Sequence, residues 1–440
     1  MTARSAPRWL TGVALIALMG CRGSGLGRSV VDYRFDADGG MAVCEGLPTC
    51  EPLRTEARVV VEIPPEPPPS SPLLDCDADS VADSQDNCPG IPNPLQSAAD
   101  CAAAQANCAA LARGESLSES ADLRGCQLAD PVMVSADLRL HGAQLGCASL
   151  TLVATRPVTI TIERAVVNGS RLDVEGPAAI DVRDSELEAS ALRIADGATL
   201  LLSDSEARDT GVWVSPPTVV RPDAIGRPGI DIVDSTLEAT TIYEPPSSRA
   251  ARVRMRGSDL LMSALVAPRV EAVASRIDVS RLVSVDLSMI GATLRTVDIE
   301  TEVASIGGGA LHDVVVTRCT DLTIASSVLD DVDIPDCAGG PAVLHESRVS
   351  DSRFGGGIAL IETQLLRTSL LGDGSDFFEQ HATLDGVRFC GAYAGATFLA
   401  GELRCTSCDA TAFRPPTVCA TGVAMASVDC VAIQFADLCD

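Results

Sequence analysis

Residues 75 to 86 read Asp-Cys-Asp-Ala-Asp-Ser-Val-Ala-Asp-Ser-Gln-Asp, so carboxylates fall at positions 1, 3, 5, 9 and 12 of a twelve-residue loop. Hard cations take oxygen ligands, and this spacing wraps side chains around calcium. The candidate ligands are Asp75, Asp77, Asp79, Asp83 and Asp86, with Val81 at position seven offering its main-chain oxygen. Ser80 stands where such loops carry the glycine of their sharp turn, which lowers the expected affinity.

Other chemistry is limited by composition. All 33 basic residues are Arg and the net charge is -27. Without lysine there is no Schiff base, no P-loop lysine and no Ser-Lys dyad. The acidic surface repels nucleic acid and favours cations as small partners. Carboxylate pairs such as Asp184 with Asp204, or Asp330 with Ser350 and Asp351 nearby, would stack coil on coil. In so acidic a chain they read as solvated faces rather than an acid-base pair. His141, His312, His345 and His381 show no metal spacing along the sequence, and no nucleophile elbow or phosphate loop occurs. Cys405 and Cys408 form a CxxC with no histidine near it, which argues against zinc.

The N-terminus places Arg4 and Arg8 before an apolar run from Trp9 to Met19, too short to span a bilayer. Leu18-Met19-Gly20-Cys21 resembles the lipobox of bacterial lipoproteins. The resemblance implies cleavage after residue 20, acylation of Cys21 and anchoring to a membrane. Arg22 stands where that family's inner-membrane retention signal has Asp, which implies the outer membrane. Seventeen cysteines in an exported chain read as disulfides, and removing Cys21 leaves an even number. Cys44 with Cys50 is a plausible local loop.

Residues 21–74 form an anchor segment with one strand-like run, Arg58 to Ile63, and a semi-rigid spacer of six prolines between Pro64 and Pro72. In residues 75–112 the acidic loop continues into Asn87-Cys88-Pro89, Asn93-Pro94 and Gln96. That combination resembles a thrombospondin type 3 calcium repeat, although its second half has lost its acids to alanine. The resemblance implies calcium as cofactor and a disulfide from Cys88 to Cys108. Ser97 and Asp100 suggest a capping box for an Ala-rich helix reaching Leu111, with Cys101 and Cys108 on one face. A disulfide-pinned helix suits the cap that a solenoid needs over its first open coil.

The elements that carry all this come from a period of five in residues 113–440. Leu123, Leu128, Met133, Leu138, Ala143 and Ala148 are its first centres, and Tyr393, Phe398, Leu403, Cys408 and Phe413 begin a series of ten that runs to Leu438. Two residues before most centres stands a small residue, as with Ser185 before Leu187 and Ser258 before Leu260. The pattern resembles the pentapeptide repeat family. It implies an all-β solenoid, a right-handed parallel β-helix of quadrilateral coils with a short N-terminal helix cap. At about twenty residues per coil and about 4.8 Å between strands, some fifteen coils are expected. The alternative for residues 150–380, where apolar and polar residues alternate, is a triangular coil. Residues 215–229 and 245–249, rich in Pro and Gly, are expected excursions.

The expected function is a non-catalytic surface lipoprotein of the outer membrane, facing either the periplasm or the cell exterior, a rod for adhesion, scaffolding or envelope organisation. Its partners would be the membrane through its lipid and a protein or polysaccharide of the envelope, with no nucleic acid. The alternative is a β-helix polysaccharide lyase or hydrolase. A DNA-mimicking pentapeptide protein fits the acidity but not the export signal. Metabolic labelling with a fatty-acid analogue tests the anchor: the wild-type chain is expected to take up label and partition into detergent, and Cys21→Ala to do neither.

Overall fold

A strand that must stop and restart at an angle needs a residue with positive φ. In the computed structural model such residues recur along two edges of the coils. One edge carries Arg164, Asp184, Asp204, Asp234, Gly257, Ala274, Gly291 and Gly308, and the other Gly169, Ala189, Asp209, Ala239, Met262, Val279, Thr296 and Asp313, with φ between 46° and 64°. Each corner N–H donates to a carbonyl of the next coil: Asp184 to Ser203 (3.2 Å), Asp204 to Val233 (3.1 Å), Asp234 to Arg256 (2.9 Å). The following N–H is satisfied by a hydroxyl of the next coil, as in Ser185 to Ser205 Oγ (3.1 Å), Ser205 to Ser235 Oγ (3.2 Å) and Ser235 to Ser258 Oγ (3.2 Å). On the second edge Thr240 N donates to Ser263 Oγ (2.9 Å) and Ser263 N to Ser280 Oγ (3.2 Å). The hydroxyls donate in turn to carbonyls two residues back, so these buried serines are satisfied twice. The small residue expected before each centre is therefore a hydrogen-bonding part of the corner as well as a packing one.

The structure describes residues 31–35, 41–45, 80–81, 85–88, 91–93, 95–97, 99, 101–117, 120–195, 198–214, 229–244, 252–334, 337, 339–341, 342–373, 376–392, 395–398, 401–407, 417–419 and 424–425. The signal segment, Cys21, the run 58–63, the prolines and most of the two excursions lie outside them. The described coils form a parallel β-solenoid of about 11 turns. Contacts divide the chain into two units, residues 57–328 and residues 1–56 with 329–440.

In the first unit each regular coil holds three strands. Val158–Glu163, Val166–Asn168 and Arg171–Glu175 are followed by Ala178–Arg183, Glu186–Glu188 and Ala191–Ile194. Ile160, Ile180 and Leu200 stack in register, as do Val167, Leu187 and Ala207, and Leu172, Leu192 and Val212. These columns fill the core. The triangular alternative thus describes the coil better than the quadrilateral one. Two corners keep the five-residue pattern, while the third face is a longer run of alternating residues such as Val158-Thr159-Ile160-Thr161-Ile162, which buries every second side chain without a further corner. Register survives changes of coil length: Leu200 pairs with Ile230 across residues 215–228, Ile230 with Val253, and Val253 with Val270 only seventeen residues on.

The helix Ala102–Ala112 forms as expected, but its N-cap is Cys101 with no side-chain hydrogen bond, so the capping box from Ser97 and Asp100 is not made. Disulfides replace it. Cys88 bonds Cys101 and Cys108 bonds Cys126, which corrects the Cys88 to Cys108 pairing implied by the repeat resemblance. Cys88, Ile91, Cys101 and Ala104 share one buried cluster, so the loop meets the helix at its start and leaves Cys108 to reach the first coil. Asn107 Nδ2 also donates to Asp122 O of that coil (3.1 Å), and Leu111 is fully buried. Cys147, Cys319 and Cys337 are disulfide-bonded as well.

In the second unit, Leu344 pairs with Leu360 and Val349 with Leu365, sixteen residues apart; Leu365 pairs with Leu384 at nineteen. Further on, Phe398 pairs with Cys419 rather than Val418, so the uninterrupted count of five does not set the register there. Val31–Phe35 and Met41–Glu45 pair as an antiparallel hairpin where no strong pattern was expected, with Cys44 opposite Asp32; Cys50 lies outside the described residues.

Val279 is β-branched yet holds φ +47° with its side chain exposed, a strain of about 1–3 kcal/mol. Val279→Asn is expected to raise the unfolding midpoint by the equivalent of about 1 kcal/mol, since Asn tolerates this conformation. Its neighbour should respond oppositely. Ser280→Ala removes the acceptor of Ser263 N–H and is expected to cost about 1–3 kcal/mol; denaturant melts of both variants check the opposed signs.

Candidate functional site

Of the expected calcium ligands, Val81 and Asp86 are described; Asp75, Asp77, Asp79 and Asp83 lie outside the described residues. Ser80 holds φ +74°, the left-handed turn for which such loops use glycine, so serine adopts the required turn at a conformational cost. Asp86 Oδ1 accepts from Cys88 N (2.8 Å) and Gln96 Nε2 (2.9 Å). Asn87 N donates to Gln96 Oε1 (2.8 Å), Asn87 Nδ2 to Gln96 O (3.2 Å) and Asn93 Nδ2 to Asn87 Oδ1 (2.9 Å). Asn87, Asn93 and Gln96, which carried the repeat resemblance, thus form one clasp that orients the last carboxylate of the loop.

The outer faces of the coils are built from arginine and carboxylate rungs. Arg139 Nη2 meets Glu163 Oε2 at 2.5 Å, and His141 Nδ1 lies 3.3 Å from the same oxygen. Arg252 and Arg254 both reach Glu271, Arg256 reaches Asp231, Arg269 reaches Asp286 and Arg281 reaches Glu300. Each of these links joins one coil to another. In the second unit Arg353 grips Asp333 with two hydrogen bonds (2.5 and 2.8 Å), the carboxylate fully buried.

The stacked acids noted in the sequence have structural roles. Asp184 and Asp204 are successive corner residues. Ser350 Oγ donates to Asp330 Oδ1 at 2.7 Å, and Asp351 pairs with Arg367. The Arg367 hydrogen bond holds the Asp351 carboxyl below the ordinary range against the opposing effect of burial. Arg139 does the same for Glu163, and Arg124 for Asp122.

Two groupings escaped the sequence reading. Trp213 and Tyr243 are register partners on the outer side of neighbouring strands. Trp213 is nonetheless 8% exposed, its ring lying over Gly211, where any Cβ would collide with it at 1.7 Å. Both strands lead directly into the excursions at 215–228 and 245–251. Their separation by an irregular thirty residues hid the pairing. Likewise the absence of metal spacing does not hold in space: ligand atoms of His345, Glu346 and Glu362 lie within 4.8 Å of one another. Cys405 falls in the strand Gly401–Ser407, and Cys408 lies outside the described residues.

In comparisons with known proteins, no family model and no curated protein matches the chain.

Asp122 and Arg124, two residues apart on one coil, offer a clean test of how an arginine holds a carboxylate. The Asp122 carboxyl is lowered first by the Arg124 side chain, against the opposing effect of burial, and then by the Arg124 backbone N–H. A lowered carboxyl stabilises the fold above its unfolded value of about 3.9 and loses that contribution as pH falls through the folded value. Arg124→Gln should move the Asp122 titration upward and reduce this loss on the acid side, as read by carboxyl-carbon NMR titration of the two proteins.

Proposed function

We propose that the chain is a non-catalytic, lipid-anchored envelope protein whose coils form a stiff scaffold for an envelope protein or polysaccharide. The observation that carries this reading is the use made of charge: among the described residues, outward arginines pair with carboxylates of the neighbouring coil or two residues away on the same strand. A general acid working near neutrality needs a raised carboxyl. Glu115, Asp122, Glu163 and Asp351 are each lowered by a paired arginine. The two disulfides that fasten the helical cap suit an oxidising compartment, in keeping with export and with Cys21 as the lipid site. Calcium in the loop of Asp75, Asp77, Asp79, Val81, Asp83 and Asp86 would stiffen the segment between anchor and coils.

A second reading, a carbohydrate-active β-helix, is favoured by one observation, the Trp213 and Tyr243 pair beside two excursions. Aromatic faces are what sugar rings stack on, and such rings are scarce in this chain. The two readings separate in one experiment. Intact cells treated with protease are expected to lose the coils while the purified chain leaves a panel of acidic and neutral polysaccharides uncleaved; turnover that disappears in Trp213→Ala would establish the second reading instead.

A further inference from the structure

The second unit contains a cluster whose donor set differs from that of the calcium loop. Glu346 and Glu362 are corner residues of successive coils, with φ of 48° and 50°. Their backbones are fixed by Glu346 N to Ile361 O (2.9 Å) and Glu362 N to Gln380 O (2.8 Å). The second bond sets His381, itself at φ +56°, next to Glu362 in the same column. His345 precedes Glu346, with Nε2 3.9 Å from Glu346 Oε1. The ligand atoms of His345, Glu346 and Glu362 all lie within 4.8 Å of one another. Two of the four histidines in the chain thus flank two stacked glutamates.

We propose that His345, Glu346 and Glu362 bind a zinc-class divalent cation, with His381 as the fourth ligand. Imidazole nitrogen with carboxylate oxygen suits zinc and its neighbours in the first transition row, whereas calcium prefers an all-oxygen shell. Tetrahedral ligands about 2.0–2.2 Å from zinc lie about 3.5 Å apart; the atoms of His345, Glu346 and Glu362, within 4.8 Å of one another, close to this by side-chain rotation, and His381 swings in from the next coil. Stacking two carboxylates one coil apart, about 4.8 Å, sets like charges against each other, and a bound dication reverses the sign of that interaction. The excess negative charge of the chain raises the local concentration of cations at such a corner. Bound there, the metal links consecutive coils through side chains, as the arginine rungs do elsewhere. This site is independent of the scaffold reading and of the calcium loop.

The test uses the full mature chain, stripped with chelator and titrated with zinc alone in excess calcium, so that the acidic loop is already occupied. Binding is followed by calorimetry and by the visible absorption of cobalt in place of zinc. A single zinc event that calcium does not displace is expected. His345→Ala and Glu362→Gln should each weaken it by at least about tenfold, His381→Ala should weaken it and alter the cobalt spectrum, and Asp351→Asn, at the neighbouring corner, should leave it unchanged. Circular dichroism checks that these exposed substitutions keep the fold. Unchanged zinc binding in His345→Ala or Glu362→Gln, or displacement of zinc by calcium, overturns the site; an unchanged cobalt spectrum in His381→Ala overturns the four-ligand set.

Discussion

A backbone N–H that turns into the interior of a narrow coil must find an acceptor there, and the remaining features of the solenoid depend on how this is met. The answer at most of these corners is a two-residue device: a corner residue with positive φ, followed by Ser or Thr. The corner N–H reaches a carbonyl of the next coil and the following N–H reaches a hydroxyl. Because both bonds run between coils, the corner sets register as well as direction. That explains why coil length can change, with seventeen residues between Val253 and Val270 and thirty between Leu200 and Ile230, while the core columns stay aligned. It also explains why strained residues such as Met262 and Val279 persist at corners, held by the ladder on either side.

The parallel solenoid and its N-terminal helix were legible because each leaves a local signature. Ser-x-Leu marks a corner and its core residue, and an Ala-rich run marks the helix. The third side of the coil was harder to read. It carries no corner, only alternation, and a square coil built from repeated fives fits the same Ser185 and Ser190 pattern until strand pairing is known. The Cys88 to Cys108 pairing failed for another reason. The clasp of Asp86, Asn87, Asn93 and Gln96 folds the loop back onto the start of the helix, and nothing in the cysteine spacing encodes that. The histidine and glutamate cluster was invisible because coil lengths of sixteen and then nineteen residues separate its members, so no constant spacing exists to find.

Charge serves cohesion in this protein before it serves recognition. Arginine, present where the chain has no lysine, is suited to two-point contact with carboxylates, and Arg353 with Asp333 and Arg367 with Asp351 use it so across neighbouring coils. A chain of strong net negative charge thereby gains attraction between adjacent coils while its outer surface keeps the charge that maintains solubility. Where the rungs give way to aromatic or histidine side chains, at Trp213 with Tyr243 and at His345 with Glu346, the surface acquires chemistry that coil cohesion does not require.

The central claim is that corners, not a count of residues, hold the coils in register. Engineered cysteine pairs test it directly, since a disulfide needs Cα atoms about 4.4–6.8 Å apart and adjacent strands provide about 4.8 Å. Asp184 with Asp204 spans a regular coil, and Asp204 with Asp234 spans the coil interrupted by residues 215–228. The account predicts that both pairs, replaced by cysteine, oxidise to disulfides with similar ease and leave the fold intact. Cross-linking of the first pair together with failure of the second would contradict it.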